Sequence, residues 1–141
     1  MYKYKLLIID DEQKTLDLFQ NYFGKRQFEV ETANNGTEGL NKLLTGKFDA
    51  AIVDLRMPDM DGMQVIEQAM NQRVPTSFIV LTGHGALKDA ITAINHDVEG
   101  WFEKGNPTDM KEIYQRTLAL CSGYYGNLQE VFKSVADVQN A

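Results

Sequence analysis

The stretch DAAIVDLRMPDMDG, residues 49–62, begins as an unbroken apolar run, reaches an aspartate at Asp54, and passes into a turn rich in Pro, Asp and Gly. Ala, Ile and Val without polar alternation read as a strand covered on both faces, the habit of central strands in a parallel sheet. A carboxylate on its last residue is carried to the rim, where strand becomes loop. The rest of the chain repeats the arrangement. Short β-rich runs KLLIID (5–10), FEVET (28–32), SFIVLT (77–82) and VEGWFE (98–103) accompany DAAIVD (49–54), each followed by residues at helical spacing. Leu16, Phe19 and Phe23 mark the first helix, and Leu40, Leu43 and Leu44 the second. Met63, Ile66 and Met70 mark the third, Leu87, Ala90, Ile91 and Ile94 the fourth, and Met110, Ile113, Tyr114 and Leu118 the fifth.

Strand then helix, five times over, predicts an α/β chain with an open, doubly wound parallel sheet, because parallel strands need right-handed crossovers. The first, third and fourth runs are the most continuously apolar and belong at the centre; the mixed second and fifth belong at the edges. Ligands of such folds sit at the carboxyl ends of the strands. Asp10, Asp11, Asp54, Thr82 and Lys104 all fall there.

Composition narrows the partners. The 141 residues are 43% hydrophobic, enough for one compact core with a short extension. Twenty acidic against fourteen basic residues leave a net charge of −6 and no Lys/Arg cluster, which argues against direct nucleic-acid binding. The apolar runs are far too short to span a bilayer and the N-terminus lacks a signal-peptide pattern, so the expectation is a cytoplasmic protein away from the membrane. A single cysteine, Cys121, with only His84 and His96 beside it in the chain, excludes an intramolecular disulfide and a Cys/His zinc site.

Each rim residue alone suits an ordinary turn, cap or surface charge. Three carboxylates together repel and raise one another's pKa unless a cation compensates. An all-oxygen site with open positions suits Mg²⁺, a neighbouring lysine supplies a point charge for phosphate oxygens, and a threonine hydroxyl donates to one of them. Aspartate can itself be the nucleophile that forms an acyl phosphate.

LLIIDDE, VDLRMPDMDG, VLTGHG and GWFEK, in this order and spacing, resemble the receiver domain of two-component response regulators, over about residues 4–121. The resemblance implies a flavodoxin-like (βα)5 sandwich with strand order 2-1-3-4-5. It implies a signalling domain, not a turnover enzyme, that accepts a phosphoryl group from a sensor histidine kinase or phosphotransfer protein. Carried over by position, Asp54 is the phosphoacceptor; Asp11, Asp54 and the backbone carbonyl of Arg56 hold Mg²⁺; and Asp10 supports the metal through water. Lys104 meets the phosphoryl oxygens, Thr82 is the switch hydroxyl, and Trp101 takes the place of the aromatic switch residue, either as a moving switch or as an edge-strand anchor. Arg56 and His84 occupy positions that tune dephosphorylation, or are solvated rim groups. Kinase contacts are expected around Thr15 and Leu16. The face of the fourth helix, fifth strand and fifth helix is the expected output and dimer surface. The family's lysine is often followed by proline; here Gly105 follows Lys104.

Residues 1–122 form the expected receiver and 123–141 a C-terminal amphipathic extension leading to an output domain or pairing with a second copy. Tyr114, Leu118, Cys121, Tyr125, Leu128, Phe132 and Val135 keep a 4, 3 spacing, which allows one helix to run through; Gly123 after Ser122 equally suits a helix stop. Two other classes stand beside the receiver. A haloacid dehalogenase-type hydrolase wants an acid/base aspartate where Arg56 stands. A receiver-like interaction module uses the fold without phosphorylation.

Overall fold

The computed structural model describes residues 2–83, 98–104 and 110–123, with Thr82 described in its backbone alone. The strands are β1 (Tyr4–Ile9), β2 (Phe28–Ala33), β3 (Ala50–Asp54), β4 (Ser77–Thr82) and β5 (Gly100–Glu103). Helices α1 (Gln13–Gly24), α2 (Gly36–Leu43) and α3 (Gly62–Asn71) lie between them, and residues 110–123 are helical. The expected fourth helix and the tail beyond Gly123 lie outside the described residues.

All strand pairs are parallel, in the order β2-β1-β3-β4-β5. The three unbroken apolar runs therefore hold the centre, where both faces are covered. Alternate residues of each central strand feed two cores. Leu7, Ile9, Ala51, Val53, Phe78 and Val80 face α2 and α3, whereas Leu6, Ile8, Ala50, Ile52, Ile79 and Leu81 face α1 and the last helix.

Leu16, Phe19 and Phe23 of α1 are buried as their spacing predicts. The second helix departs from its pattern: Leu44 is 45% exposed, and the buried face is Gly36, Gly39 and Leu43, with Leu40 partly buried. A Cβ at Gly39 would stand 2.6 Å from Ile9 Cδ1, so α2 rides close on β1 by lacking side chains there. Leu16 is 1% exposed, which removes it from any partner surface; Leu18, at 54%, faces outward instead.

The last helix is held by aromatic packing. The Tyr114 ring lies 5.2 Å from Phe23 and 5.7 Å from both Tyr22 and Phe28, edge to face in each case. Ser122 Oγ is 3.3 Å from Tyr4 Oη, and Cys121 is buried. Tyr114, Leu118 and Cys121, the first members of the predicted seam, are thus spent on this domain's own core. Among the described residues no helix is long and apolar enough to cross a membrane.

Candidate functional site

The carboxyl ends of β1, β3 and β5 bring Asp10, Asp54 and Lys104 together. Adjacent parallel strands in register deliver them: Ile9 pairs with Val53, so the residues that follow, Asp10 and Asp54, emerge side by side. The ladder runs on at the rim, with Asp10 N–H donating to Ala33 and Leu55 N–H to Leu81. Asp10 is fully buried and Asp54 is 2% exposed, a costly place for two carboxylates.

Lys104 offsets that cost. Its Nζ donates to Asp10 Oδ1 at 3.1 Å, Glu12 Oε1 at 2.9 Å and Asp54 Oδ2 at 3.0 Å, and lies 2.8 Å from Asp10 Oδ2. Asp10 Oδ1 also accepts from Glu12 N–H at 2.9 Å, and Asp54 Oδ1 from Arg56 N–H at 3.2 Å. Burial raises the Asp10 carboxyl to about 6, against the pull of the Lys104 hydrogen bond and the Glu12 amide. Asp54 is raised for the same first reason, with Lys104 and the Arg56 amide opposing. Burial works to lower Lys104, but hydrogen bonds to Asp10, Glu12 and Asp54 overcome it and raise the ammonium well above the usual lysine range. Lys104 makes these contacts although glycine follows it; Gly105 itself lies outside the described residues.

Ligand oxygens of Asp10, Asp11 and Glu12 lie within 4.8 Å of one another. Asp10 Oδ2 is buried and, although close to Lys104, lacks a well-directed hydrogen bond. An all-carboxylate donor set with an under-satisfied buried oxygen fits a hard divalent cation. Asp11 is exposed, and its charge acts to raise Asp54. Glu12 had no assigned role in the sequence; its signal was being the third acid in an unbroken run after β1.

The loop from Leu55 to Gly62 frames Asp54. Gly62 N–H donates to Leu55 at 3.0 Å, closing the loop at its base, and a Cβ on Gly62 would overlap the Asp54 carbonyl oxygen. Asp61 caps α3 in a reciprocal arrangement with Gln64. Arg56 stands at the rim with its side chain exposed. Trp101, on β5, is 46% exposed. Thr82 ends β4, paired with Glu103; its side chain and all of His84 lie outside the described residues. A Cβ at Gly83 would meet none of the described residues within 4 Å.

A doubly wound, five-stranded parallel sheet with buried carboxylates and a lysine gathered at the carboxyl ends of its strands places the chain among flavodoxin-like α/β domains. The model of the response regulator receiver domain matches residues 6–117, and the chain belongs to that family. It is similar to the transcriptional regulatory protein GlrR of Escherichia coli, 36% identical over 110 residues that are 78% of this chain and 24% of that protein. The response regulator SaeR of Staphylococcus aureus is 31% identical over 111 residues, 79% of this chain and 47% of SaeR. The chain thus spans about a quarter to a half of the length of these relatives. Among solved structures, a response regulator receiver domain protein from Clostridium thermocellum superposes with a TM-score of 0.78 at 27% identity, covering 86% of this chain and 97% of that one.

Proposed function

We propose that this receiver accepts a phosphoryl group on Asp54 from a phosphohistidine of a sensor kinase or phosphotransfer protein. The observation that carries this reading is the Lys104 ammonium held between the buried carboxylates of Asp10 and Asp54. An Asp54 carboxylate oxygen attacks phosphorus, the bond from phosphorus to the histidine nitrogen breaks, and that nitrogen leaves with the electron pair. Asp11, Asp54 and the Arg56 carbonyl would hold Mg²⁺, with Asp10 supporting through water; the ion supplies positive charge against the phosphoryl oxygens. Lys104 covers Asp54, so its ammonium moves off the carboxylate and onto the incoming oxygens, a shift its flexible stem allows. The Arg56 amide keeps Oδ1 oriented while Oδ2 is uncovered.

The donor's approach is best served by the groove of about 490 Å³ beside the rim, where Thr15, Leu18 and Phe19 of α1 face Lys104, Met110 and Ile113. Exposed Leu18 offers an apolar contact there. Thr82 serves as the switch hydroxyl, Trp101 reports or joins the switch, and Arg56 and His84 tune the lifetime of the acyl phosphate. The face containing β5 and the last helix carries the output, through a homodimer, a partner or a further domain.

Intact mass after incubation with acetyl phosphate, with and without Mg²⁺, tests the reading on the natural chain and on Asp54→Ala. One added phosphoryl group that requires Mg²⁺ and is lost in the variant is expected. A folded chain that gains no mass under any condition overturns it in favour of the interaction module.

A further inference from the structure

Among the described residues, the most heavily bonded carboxylate outside the rim is Asp59, at the outer bend of the loop after β3. Its Oδ1 accepts from Gly36 N–H at 3.0 Å, and its Oδ2 from Thr37 N–H at 3.0 Å and Thr37 Oγ1 at 2.8 Å. Gly36 and Thr37 open α2, whose first amides have no partner within the helix, so the loop supplies acceptors that the helix lacks. Asn35 caps the same helix independently, accepting from Glu38 N–H at 2.8 Å. Next to Asp59, the Met60 carbonyl oxygen would stand 2.7 Å from a Cβ at Gly36; the absent side chain lets loop and helix touch.

The inner half of the loop carries the Arg56 amide that orients Asp54. Its base is closed by Gly62 and its end is fixed by the Asp61 cap, while Met57 is buried in the core facing α2 and α3. The turn at 58–60 is exposed at Pro58 and Asp59 and only partly buried at Met60. Asp59 is the polar tie of that turn to the body of the domain.

We propose that Asp59 is a positioning residue for the phosphoacceptor site, holding the loop after β3 against the start of α2 so that the Arg56 backbone keeps its place at Asp54. The inference rests on the proposed use of Asp54 and the Arg56 carbonyl. It assigns Asp59 no contact with the phosphoryl group or the ion. Groups that orient a ligand from outside the site set its affinity without touching the metal.

Two variants separate positioning from helix stability. Asp59→Ala removes the tie and weakens the start of α2; Asn35→Ala weakens the same helix end and leaves the loop tied. Mn²⁺ binding is read by electron paramagnetic resonance and amide exchange at Arg56 by NMR. Asp59→Ala is expected to weaken Mn²⁺ binding about tenfold, the low end for such orienting groups, and to speed Arg56 exchange. Asn35→Ala is expected to leave both unchanged at a comparable loss of melting temperature. Equal Mn²⁺ affinity in Asp59→Ala and the natural chain overturns the proposal, as does equal weakening in both variants, which would make helix stability the cause. A natural chain that binds no Mn²⁺ overturns the metal reading and this inference with it; Mn²⁺ binding without Asp54 phosphorylation counts against the phosphoacceptor reading alone.

Discussion

Replacing Asp10 by asparagine is expected to make the domain more stable, and only above the acid range. The folded carboxyl is raised by burial from an ordinary 3.8 to about 6, so the native state binds this proton more tightly than the unfolded chain. Stability linked to Asp10 is then full below the unfolded value, falls as pH rises from about 4 to about 6, and is flat above. A difference of about 2 units at 1.36 kcal/mol each sets the cost of the charge near pH 7.5 at about 3 kcal/mol, and at about 1 kcal/mol near pH 4.5. Asparagine removes that cost but adds another. Its oxygen takes the place of Oδ1, accepting from Glu12 N–H, which leaves its amide nitrogen where Oδ2 stands, 2.8 Å from the Lys104 ammonium. Two donors facing one another offset roughly 1 kcal/mol. The net is a gain of about 2 kcal/mol near pH 7.5 and about none near pH 4.5. Urea denaturation followed by far-UV circular dichroism in EDTA at both pH values measures it. A variant no more stable than the natural chain at the higher pH, or equally more stable at both, would refute the reasoning.

Lys104→Met leaves the buried carboxylates of Asp10 and Asp54 uncompensated. A loss of about 2–4 kcal/mol near neutral pH is expected, shrinking toward acid as they protonate, together with loss of phosphotransfer; urea titration and intact mass report the two. Gly62→Ala drives a Cβ into the Asp54 carbonyl and is expected to cost about 3 kcal/mol or more by urea denaturation, since backbone and not a flexible side chain must give way. Tyr114→Ala removes the ring that joins the last helix to Tyr22, Phe23 and Phe28, for a loss of about 3 kcal/mol on thermal or urea melts. Trp101 is half exposed, so phosphorylation that draws it inward shifts its emission to the blue; an unchanged spectrum makes it a static anchor.

The sheet was legible because burial on both faces leaves an unbroken apolar run, and β1, β3 and β4 carry such runs at the centre of the order observed. The second helix was misread for the converse reason. Gly36 and Gly39 pack it onto β1 by lacking side chains, which leaves no hydropathy signal, and Leu44 at the C-cap took their place in the pattern. Spacing also cannot tell a seam for another chain from a face spent on one's own core, as Tyr114, Leu118 and Cys121 demonstrate. At the rim, Asp10, Asp54 and Lys104 converge because parallel strands end at one edge. Glu12 and Asp59 were missed because their contacts depend on the paths of loops, which residue types at strand ends do not specify.

The charge balance at the rim links its fragility to its proposed use. Lys104 contacts three carboxylates, those of Asp10, Glu12 and Asp54, so this contact set alone carries a charge of −2 when all are ionised. A phosphoryl group brings about two more negative charges. Lys104 alone cannot hold both the carboxylates and the newcomer, because each oxygen it gains is one it takes from Asp10, Glu12 or Asp54. Neutralising Asp10 relieves the resting domain but removes a carboxylate from the oxygen set that suits a divalent cation. The substitution that stabilises the fold should therefore weaken phosphoryl acceptance, a trade that a purely structural acidic cluster would not make.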